Sequence, residues 1–169
     1  MQYTANYMSP LGKIILASDG AALTGLWFDG QAHFRKEAVT AAEPEELPVL
    51  QETSRWLDLY FSGRIPEFTP PVEFPDCTPF RRIILDLLRT VPYGTTITYG
   101  ELARSAAAVL NVSNMSAQAV GNAVSRNPVS IIIPCHRVIG KDGSLTGYAG
   151  GLMRKQYLLD LEQRTLQSR

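Results

Sequence analysis

The pattern of apolar and polar positions in the first thirty residues predicts short β-strands. Turn residues at 9–12 and 19–20 separate three apolar runs, which are Gln2–Met8, Lys13–Ser18 and Leu23–Phe28. Residues 31–47 are mostly polar, and we expect a loop or a poorly formed helix there. The next segment, Leu47–Phe61, has apolar residues at helical spacing, and Gly63 ends the predicted helix.

A proline-rich stretch separates this part from the rest of the chain. Residues 64–77 contain four prolines, which neither a helix nor a central strand accommodates. We therefore expect a linker and two domains: a structural β/α domain over residues 1–75, which ends in the linker, and a second domain over residues 76–169.

The second part of the chain shows mainly helical patterns. Thr78–Pro79 predicts the start of a helix whose apolar face contains Ile83, Ile84, Leu87, Leu88 and Val91. A capping box at Thr98–Glu101 predicts the start of the next helix. That helix and the later elements are predicted at Tyr99–Val109 and Ser116–Ser125, then a short buried strand at Ser130–Ile133 and a last helix at Arg154–Glu162. Two short helices joined by a turn are typical of a helix-turn-helix, which presents its second helix to DNA.

Composition and charge indicate an ordinary globular protein. Of the 169 residues, 45% are hydrophobic and 19% are charged, and the net charge is zero. Zero net charge does not suggest a general nucleic-acid binder, but residues 1–75 carry a net −5 and residues 76–169 a net +5. This asymmetry fits a polyanion that binds the second part, and it fits equally well a chance segregation of solvated charges.

Targeting signals and metal-binding patterns are not evident in the sequence. No apolar run approaches the roughly 20 residues that span a bilayer, and the N-terminus does not resemble a secretory signal. We therefore expect a cytoplasmic monomer that does not bind membranes. Cys77 and Cys135 are expected to be free thiols. They show no metal-ligand spacing with His33 or His136, so we expect no metal and no other cofactor.

Cys135 and His136 are the best candidates for chemistry. A thiol beside a proton acceptor can react as a thiolate. Adjacent side chains on an extended chain point in opposite directions, so a water would have to relay the proton. From these two residues alone, an inert buried cysteine beside a hydrogen-bonded core histidine is the favoured interpretation.

The residues around this pair resemble a known family. The string Ile132–Gly140 is similar to the active-site signature of the O6-alkylguanine-DNA alkyltransferases. The resemblance extends in the same order from Thr78 to Glu162 and includes Thr98-Tyr99, Gln118–Ser125, Asn127-Pro128 and Tyr148–Gly151. It implies an α/β (α+β) fold. The N-terminal sheet domain would be ribonuclease-H-like, and the C-terminal, mainly helical domain would be winged helix-turn-helix-like.

The resemblance implies a role for each of five catalytic residues. Cys135 would be the nucleophile, His136 would accept its proton through a water, and Glu162 would orient and charge-balance His136, as in a hydrolase triad. Tyr99 would donate a proton or a hydrogen bond to the guanine ring. Asn127 would connect the recognition helix to the active-site segment.

Two sets of binding residues are implied in the same way. The substrate would contact Tyr99, Val138, Tyr148, Ala149 and Gly150. DNA would contact the recognition helix and its surroundings, namely Thr78, Arg81, Gln118, Ala119, Gly121, Asn122, Ser125 and Arg126. Gln118 departs from the family, which often has at this position an arginine that replaces the flipped base. Arg137 is expected to hold the active-site segment by an ion pair.

The resemblance predicts direct-reversal DNA repair. The partner would be double-stranded DNA that contains O6-alkylguanine, and one alkyl group would be transferred irreversibly to Cys135 of each protein molecule. The sequence leaves activity on O4-alkylthymine open. Other interpretations are a lesion-binding protein without transfer, an alkylation-responsive regulator, and a thiol hydrolase that uses Cys135, His136 and Glu162.

Overall fold

The structure, a computed structural model, describes residues 2–34 and 47–169. Its strands are β1 (Tyr3–Ser9), β2 (Gly12–Ser18), β3 (Leu23–Phe28), β4 (Ile97–Thr98) and β5 (Val138–Ile139). Its helices are α1 (Pro48–Phe61), α2 (Pro79–Leu88), α3 (Tyr99–Leu110), α4 (Ala117–Ser125) and α5 (Leu152–Gln167). Within the described ranges, no helix is both long and apolar enough to cross a membrane.

The N-terminal strands form one antiparallel sheet in the order β1-β2-β3. Tight turns join consecutive strands, so the register follows directly from the two short connections, with Ser9 opposite Gly12 at the first turn. Strand β3 is buried along its whole length. Its Leu23, Leu26 and Phe28 belong to the main core together with α1 and the C-terminal helices, and Trp27 packs with Ala17 and Phe34.

The outer edge of β3 is occupied by segments from both parts of the chain. The proline-rich stretch forms a bridge between Leu23 and Val72, and the segment after α4 forms a bridge between Leu26 and Val129. The Leu26 amide donates to the Pro128 carbonyl at 2.8 Å. The buried apolar residues of both parts form one continuous core, so the C-terminal helices are fixed relative to the sheet.

Side-chain caps define where the C-terminal helices begin. Thr78 accepts from the Arg81 amide ahead of α2, and Ser116 accepts from the Ala119 amide ahead of α4. The predicted capping box at the start of α3 is confirmed, because Thr98 and Glu101 each bond the other's backbone amide. Helices α3 and α4 pack against each other and form the predicted helix pair.

Several sequence-based predictions need correction. Residues Ser130–Ile133 form a buried turn and not a strand, because Ile131 has a left-handed backbone (φ 70°) that a strand cannot contain. A short apolar run does not distinguish these conformations. Helix α5 extends beyond the predicted Arg154–Glu162 at both ends. On α2 the fully buried residues are Ile84, Leu85 and Leu88, whereas Ile83 and Leu87 are half-buried.

The predicted fold class is confirmed: a small N-terminal sheet is combined with a mainly helical C-terminal part. A two-stranded parallel pair, β4 and β5, lies beside the C-terminal helices and pairs Ile97 with Val138. The predicted loop or helix at residues 31–47 lies mostly outside the described residues, and 31–34 form a turn.

Truncation of Leu26 should destabilise the whole protein. Leu26 is fully buried in the core that both parts share, so Leu26→Ala should lower the free energy of unfolding by about 2–5 kcal/mol. Urea denaturation measures this change. Met8→Ala, at a side chain that is 72% exposed, is the matched control and should change stability by less than about 0.5 kcal/mol. Equal effects of the two substitutions would contradict the shared core.

Candidate active site

A cavity of about 230 Å³ opens between α4, the loop before α5 and the turn after β3. Residues from distant parts of the sequence line this cavity, and Cys135 is one of them. The lining residues are Ala32, His33, Tyr99, Gly121, Val124, Ser125, Cys135, Gly147, Tyr148 and Ala149. The structure therefore brings together Cys135, Tyr99, Tyr148 and Ala149, as well as Gly121 and Ser125 from the predicted DNA-binding set.

Cys135 begins a short 3₁₀ turn, Cys135–Arg137, and is only 5% exposed. Burial raises the pKa of its thiol, while the side chain of Asn127 and the ammonium group of Lys155 act in the opposite direction. The group therefore rests as a thiol, and it needs a proton acceptor to become the stronger nucleophile.

Asn127 connects the end of α4 to the segment that carries Cys135. Its amide nitrogen donates to the Ile133 carbonyl at 2.8 Å, and its carbonyl oxygen accepts from the Val129 amide at 3.0 Å. Asn127 is buried, so both bonds form away from water. Asn127 therefore lies between the end of α4 and the active-site turn.

His136 and Glu162 form a fully buried pair. The Nε2 atom of His136 lies 2.5 Å from Oε2 of Glu162 on α5, and both side chains are inaccessible to solvent. Burial lowers the pKa of His136, although Glu162 opposes this effect. The other ring nitrogen, Nδ1, is buried and has no hydrogen-bond partner among the described residues, so it is free to accept a proton.

Arg137 holds the other oxygen of the same carboxylate. Its Nε donates to Oε1 of Glu162 at 2.7 Å, and its guanidinium also bonds the Val91 carbonyl at 2.8 Å. The predicted ion pair of Arg137 is confirmed. Burial alone would raise the pKa of Glu162, but the donors from His136 and Arg137 outweigh it and hold the pKa well below its ordinary value.

Tyr99 of α3 and Gly121 of α4 lie next to each other in the cavity wall. The hydroxyl of Tyr99 donates to the Thr146 carbonyl at 2.9 Å, which ties α3 to the loop before α5. A side chain at Gly121 would stand 3.7 Å from the Tyr99 ring. This is an ordinary van der Waals distance, so α3 and α4 are closely packed at this point of the cavity wall.

Two of the predicted substrate-binding residues do not line the cavity. Val138 is buried in β5, and its carbonyl accepts from the ammonium group of Lys155 at 2.5 Å. Gly150 packs where a Cβ atom would meet the rings of Tyr148 and Phe28 at 2.7 and 2.9 Å. Gly150 is therefore required for packing of the loop, and its neighbour Ala149 reaches the cavity instead.

The predicted DNA-binding residues lie on two surfaces. Gln118 and Asn122 are exposed on α4 and line a shallow groove that continues from the cavity mouth. Ala119 lies on the same helix outside that groove. Arg81 and Arg126 line a separate, smaller cavity, together with Asp76 and Cys77.

Thr78, at the start of α2, is exposed, and its side chain serves as the helix cap. Both cysteines are free thiols, as predicted.

Sequence reasoning missed three contributors to the site. His33 lines the cavity in a left-handed conformation (φ 59°), held by the bond from the Ala32 amide to the Ala149 carbonyl at 3.0 Å. Lys155 is fully buried and also donates to the Gly147 carbonyl at 3.1 Å. Tyr60 on α1 donates to Glu162 at 2.8 Å. A lysine on an amphipathic helix is normally exposed, so no signal in the sequence indicated its burial.

The fold and the site define a helix-turn-helix protein in which a buried cysteine lines a cavity. Residues 79–164 match the family model described as the DNA-binding domain of 6-O-methylguanine DNA methyltransferase, and residues 2–74 match its ribonuclease-like domain. The chain therefore belongs to the 6-O-methylguanine DNA methyltransferase family.

Individual relatives match over nearly the whole chain. The methylated-DNA–protein-cysteine methyltransferases of Haemophilus influenzae and Methanosarcina acetivorans are 40% and 42% identical to it. Each match covers 95% of this chain, with 86% and 97% of the respective relative. The crystal structure of the Mycobacterium tuberculosis O6-methylguanine methyltransferase is similar with a TM-score of 0.83 and 36% identity, covering 98% of this chain and 94% of that one. The Mycobacterium tuberculosis OGT in complex with DNA has a TM-score of 0.80 and 37% identity, covering 97% and 93%.

The buried His136–Glu162 pair predicts a loss of stability in acid. Because the pKa of His136 is below its ordinary 6.5, the unfolded chain takes up that proton first, and stability falls as the pH drops below about 6.5. The pKa of Glu162 lies below its ordinary 4.5, so its contribution is present above 4.5 and is lost as the pH falls further. Urea midpoints measured across this range should decline in these two stages.

The exposed carboxylate of Asp86 provides the control, since Asp86→Asn should reproduce the wild-type curve. A midpoint that stays level from neutral pH down to below 4.5 would show that the pair does not couple folding to protonation.

Proposed function

We propose that this protein repairs alkylated DNA by moving an alkyl group from O6 of guanine to the sulfur of Cys135. One observation carries the proposal: Cys135 lines the same cavity as Gly121, Val124 and Ser125 of α4. A base that leaves the duplex beside that helix enters the cavity with its O6 substituent towards the sulfur. Base flipping costs a few kcal/mol, and contacts in the cavity would offset this cost.

The transfer is a displacement at the alkyl carbon. A bond forms between Sγ of Cys135 and this carbon, and the bond between the carbon and O6 breaks. The thiol proton goes through a water to Nδ1 of His136, the ring nitrogen that Glu162 does not bind. The guanine ring takes up a proton as it leaves, so that it departs as a neutral base. Tyr99, whose hydroxyl lies at the cavity mouth, is the proposed donor.

The product explains why each molecule acts once. A thioether has no leaving group that water displaces under ordinary conditions, so Cys135 remains alkylated. Ester-type hydrolysis by the same three residues would instead regenerate the thiol. We therefore propose stoichiometric transfer without turnover.

The DNA-binding surface is proposed to be α4 and the residues around it. Gln118 and Asn122 lie along the groove next to the cavity mouth, and Arg126 follows the helix. The net charge of +5 over residues 76–169 attracts the phosphate backbone. We propose that residues 76–169 bind DNA and carry out the transfer, that residues 1–75 have a structural role, and that the protein acts as a cytoplasmic monomer.

Removal of the Cys135 thiol should abolish transfer. Incubation with a duplex that contains radiolabelled O6-methylguanine should place one label on each wild-type molecule, and Cys135→Ser should place none, since an uncharged hydroxyl is a poor nucleophile for saturated carbon. Cys77→Ser, which removes the other thiol, should label like the wild type. Repeated turnover would indicate a hydrolase, and tight lesion binding without label would indicate a binding protein.

An arginine at position 118 should accelerate repair of duplex DNA. Gln118 is exposed at the start of α4, where a guanidinium could stack in place of the flipped base. Gln118→Arg should raise the single-turnover rate on duplex by about tenfold, the effect of one stacking contact, and should leave the rate with free O6-methylguanine unchanged.

Gln51→Arg adds the same charge at an exposed position of α1 and serves as the control. An equal gain in both variants would indicate general charge attraction to DNA. An equal gain on duplex and on free base would show that residue 118 does not enter the base stack.

A further inference from the structure

The carboxylate of Glu162 receives a hydrogen bond from the N-terminal part of the chain. Tyr60, on α1, donates its hydroxyl to Oε2 at 2.8 Å. Neither side chain is accessible to solvent, although 102 positions separate them in the sequence. A residue outside the C-terminal part thus touches the group that orients His136.

The donors around Glu162 are arranged in two pairs. Oε2 lies against the hydroxyl of Tyr60 and Nε2 of His136, and Oε1 accepts from Nε of Arg137 and from the Gly94 amide at 2.9 Å. Because each oxygen has two donors, the carboxylate cannot rotate without breaking at least one of them. Loss of the Tyr60 hydroxyl would leave His136 as the partner of Oε2.

The ring of Tyr60 is itself held in place by aromatic neighbours. It stacks on Trp56 at 5.3 Å between centroids, and it meets the edges of Phe61 and Tyr93 at 5.4 and 6.1 Å. These contacts fix the direction in which the hydroxyl points. Substitution by phenylalanine retains the ring and removes only the donor.

We propose that Tyr60 is a positioning residue for alkyl transfer, whose hydroxyl holds Oε2 of Glu162 where Nε2 of His136 meets it. This inference rests on the proposed function. It gives the N-terminal part of the chain a role in positioning the proton acceptor His136, in addition to the structural role proposed above. Tyr60 touches neither the substrate nor the sulfur, and acts only through Glu162 and His136.

The charges around His136 and Glu162 determine how loss of the Tyr60 hydroxyl would change the pKa of His136. Burial and the negative charge of Glu162 raise the pKa of Tyr60 far above its ordinary value, so it is always a neutral donor. Arg137 and Lys155 are the cations that face His136, and Tyr93 and Cys135 are the other titratable groups nearby. Without the hydrogen bond from Tyr60, the negative charge on Oε2 of Glu162 interacts more strongly with the protonated imidazole. Loss of the hydroxyl therefore raises the pKa of His136.

The test is the Tyr60→Phe variant, measured under single-turnover conditions with saturating O6-methylguanine duplex. The transfer rate should fall by about tenfold, as expected for loss of a hydrogen bond to a charged group, with lesion binding unchanged. The acid limb of the pH–rate profile should move to higher pH, because His136 must be neutral to accept the thiol proton. A purely structural role would lower thermal stability without moving this limb.

Tyr93→Phe is the matched control. Its ring packs against Tyr60 and Arg137, but none of the four hydrogen bonds to Glu162 comes from Tyr93. This variant should keep the wild-type rate and pH profile. If Tyr60→Phe behaves like Tyr93→Phe, or loses only thermal stability, the inference is wrong.

A second measurement separates this inference from the proposed function. The protein is incubated with iodoacetamide in the absence of DNA, and the rate at which Cys135 is alkylated is followed by mass spectrometry of the Cys135 peptide. Tyr60→Phe should slow this reaction about tenfold and shift its pH dependence in the same direction. Wild-type protein that reacts with iodoacetamide but takes no label from the duplex would refute the proposed function alone. An unchanged iodoacetamide rate in Tyr60→Phe would refute the role of Tyr60.

Discussion

The buried carboxylate of Glu162 is the interaction on which the rest of the site depends. A charge without solvent contact is stable only when hydrogen bonds replace its hydration, and here four donors do so. They come from α1, the turn after α2, and the active-site segment next to Cys135. The same contacts that make the charge tolerable also fix the imidazole of His136, so stability and chemistry have one structural cause.

Next to this buried charge, Cys135 is in contact with both a cavity and a hydrogen-bonded turn. Cys135 lines a cavity that α4 also lines, and the turn before Cys135 is joined to the end of α4 by the side chain of Asn127. Lys155 joins the loop before α5 to β5 in a similar way, through backbone carbonyls.

The elements with strong local signals could be predicted from the sequence, and those set by tertiary contacts could not. The three N-terminal strands, α1 and the capping box at Thr98 are encoded by turn residues, periodicity and side-chain caps. The run Ser130–Ile133 is apolar because it is buried, and burial does not distinguish a turn from a strand. Neither the hydroxyl of Tyr60 nor the ammonium of Lys155 had a predictable partner, since both partners lie far away in the sequence.

The two bridges along β3 have a consequence for how the chain avoids self-association. An open strand edge is a template for pairing with another molecule, and here Val72 and Val129 occupy it from opposite parts of the chain. Removal of either flanking segment would expose unpaired backbone groups on a strand that is otherwise fully buried. Fragments of this protein should therefore tend to aggregate, which makes the intact chain the safer starting point for engineering.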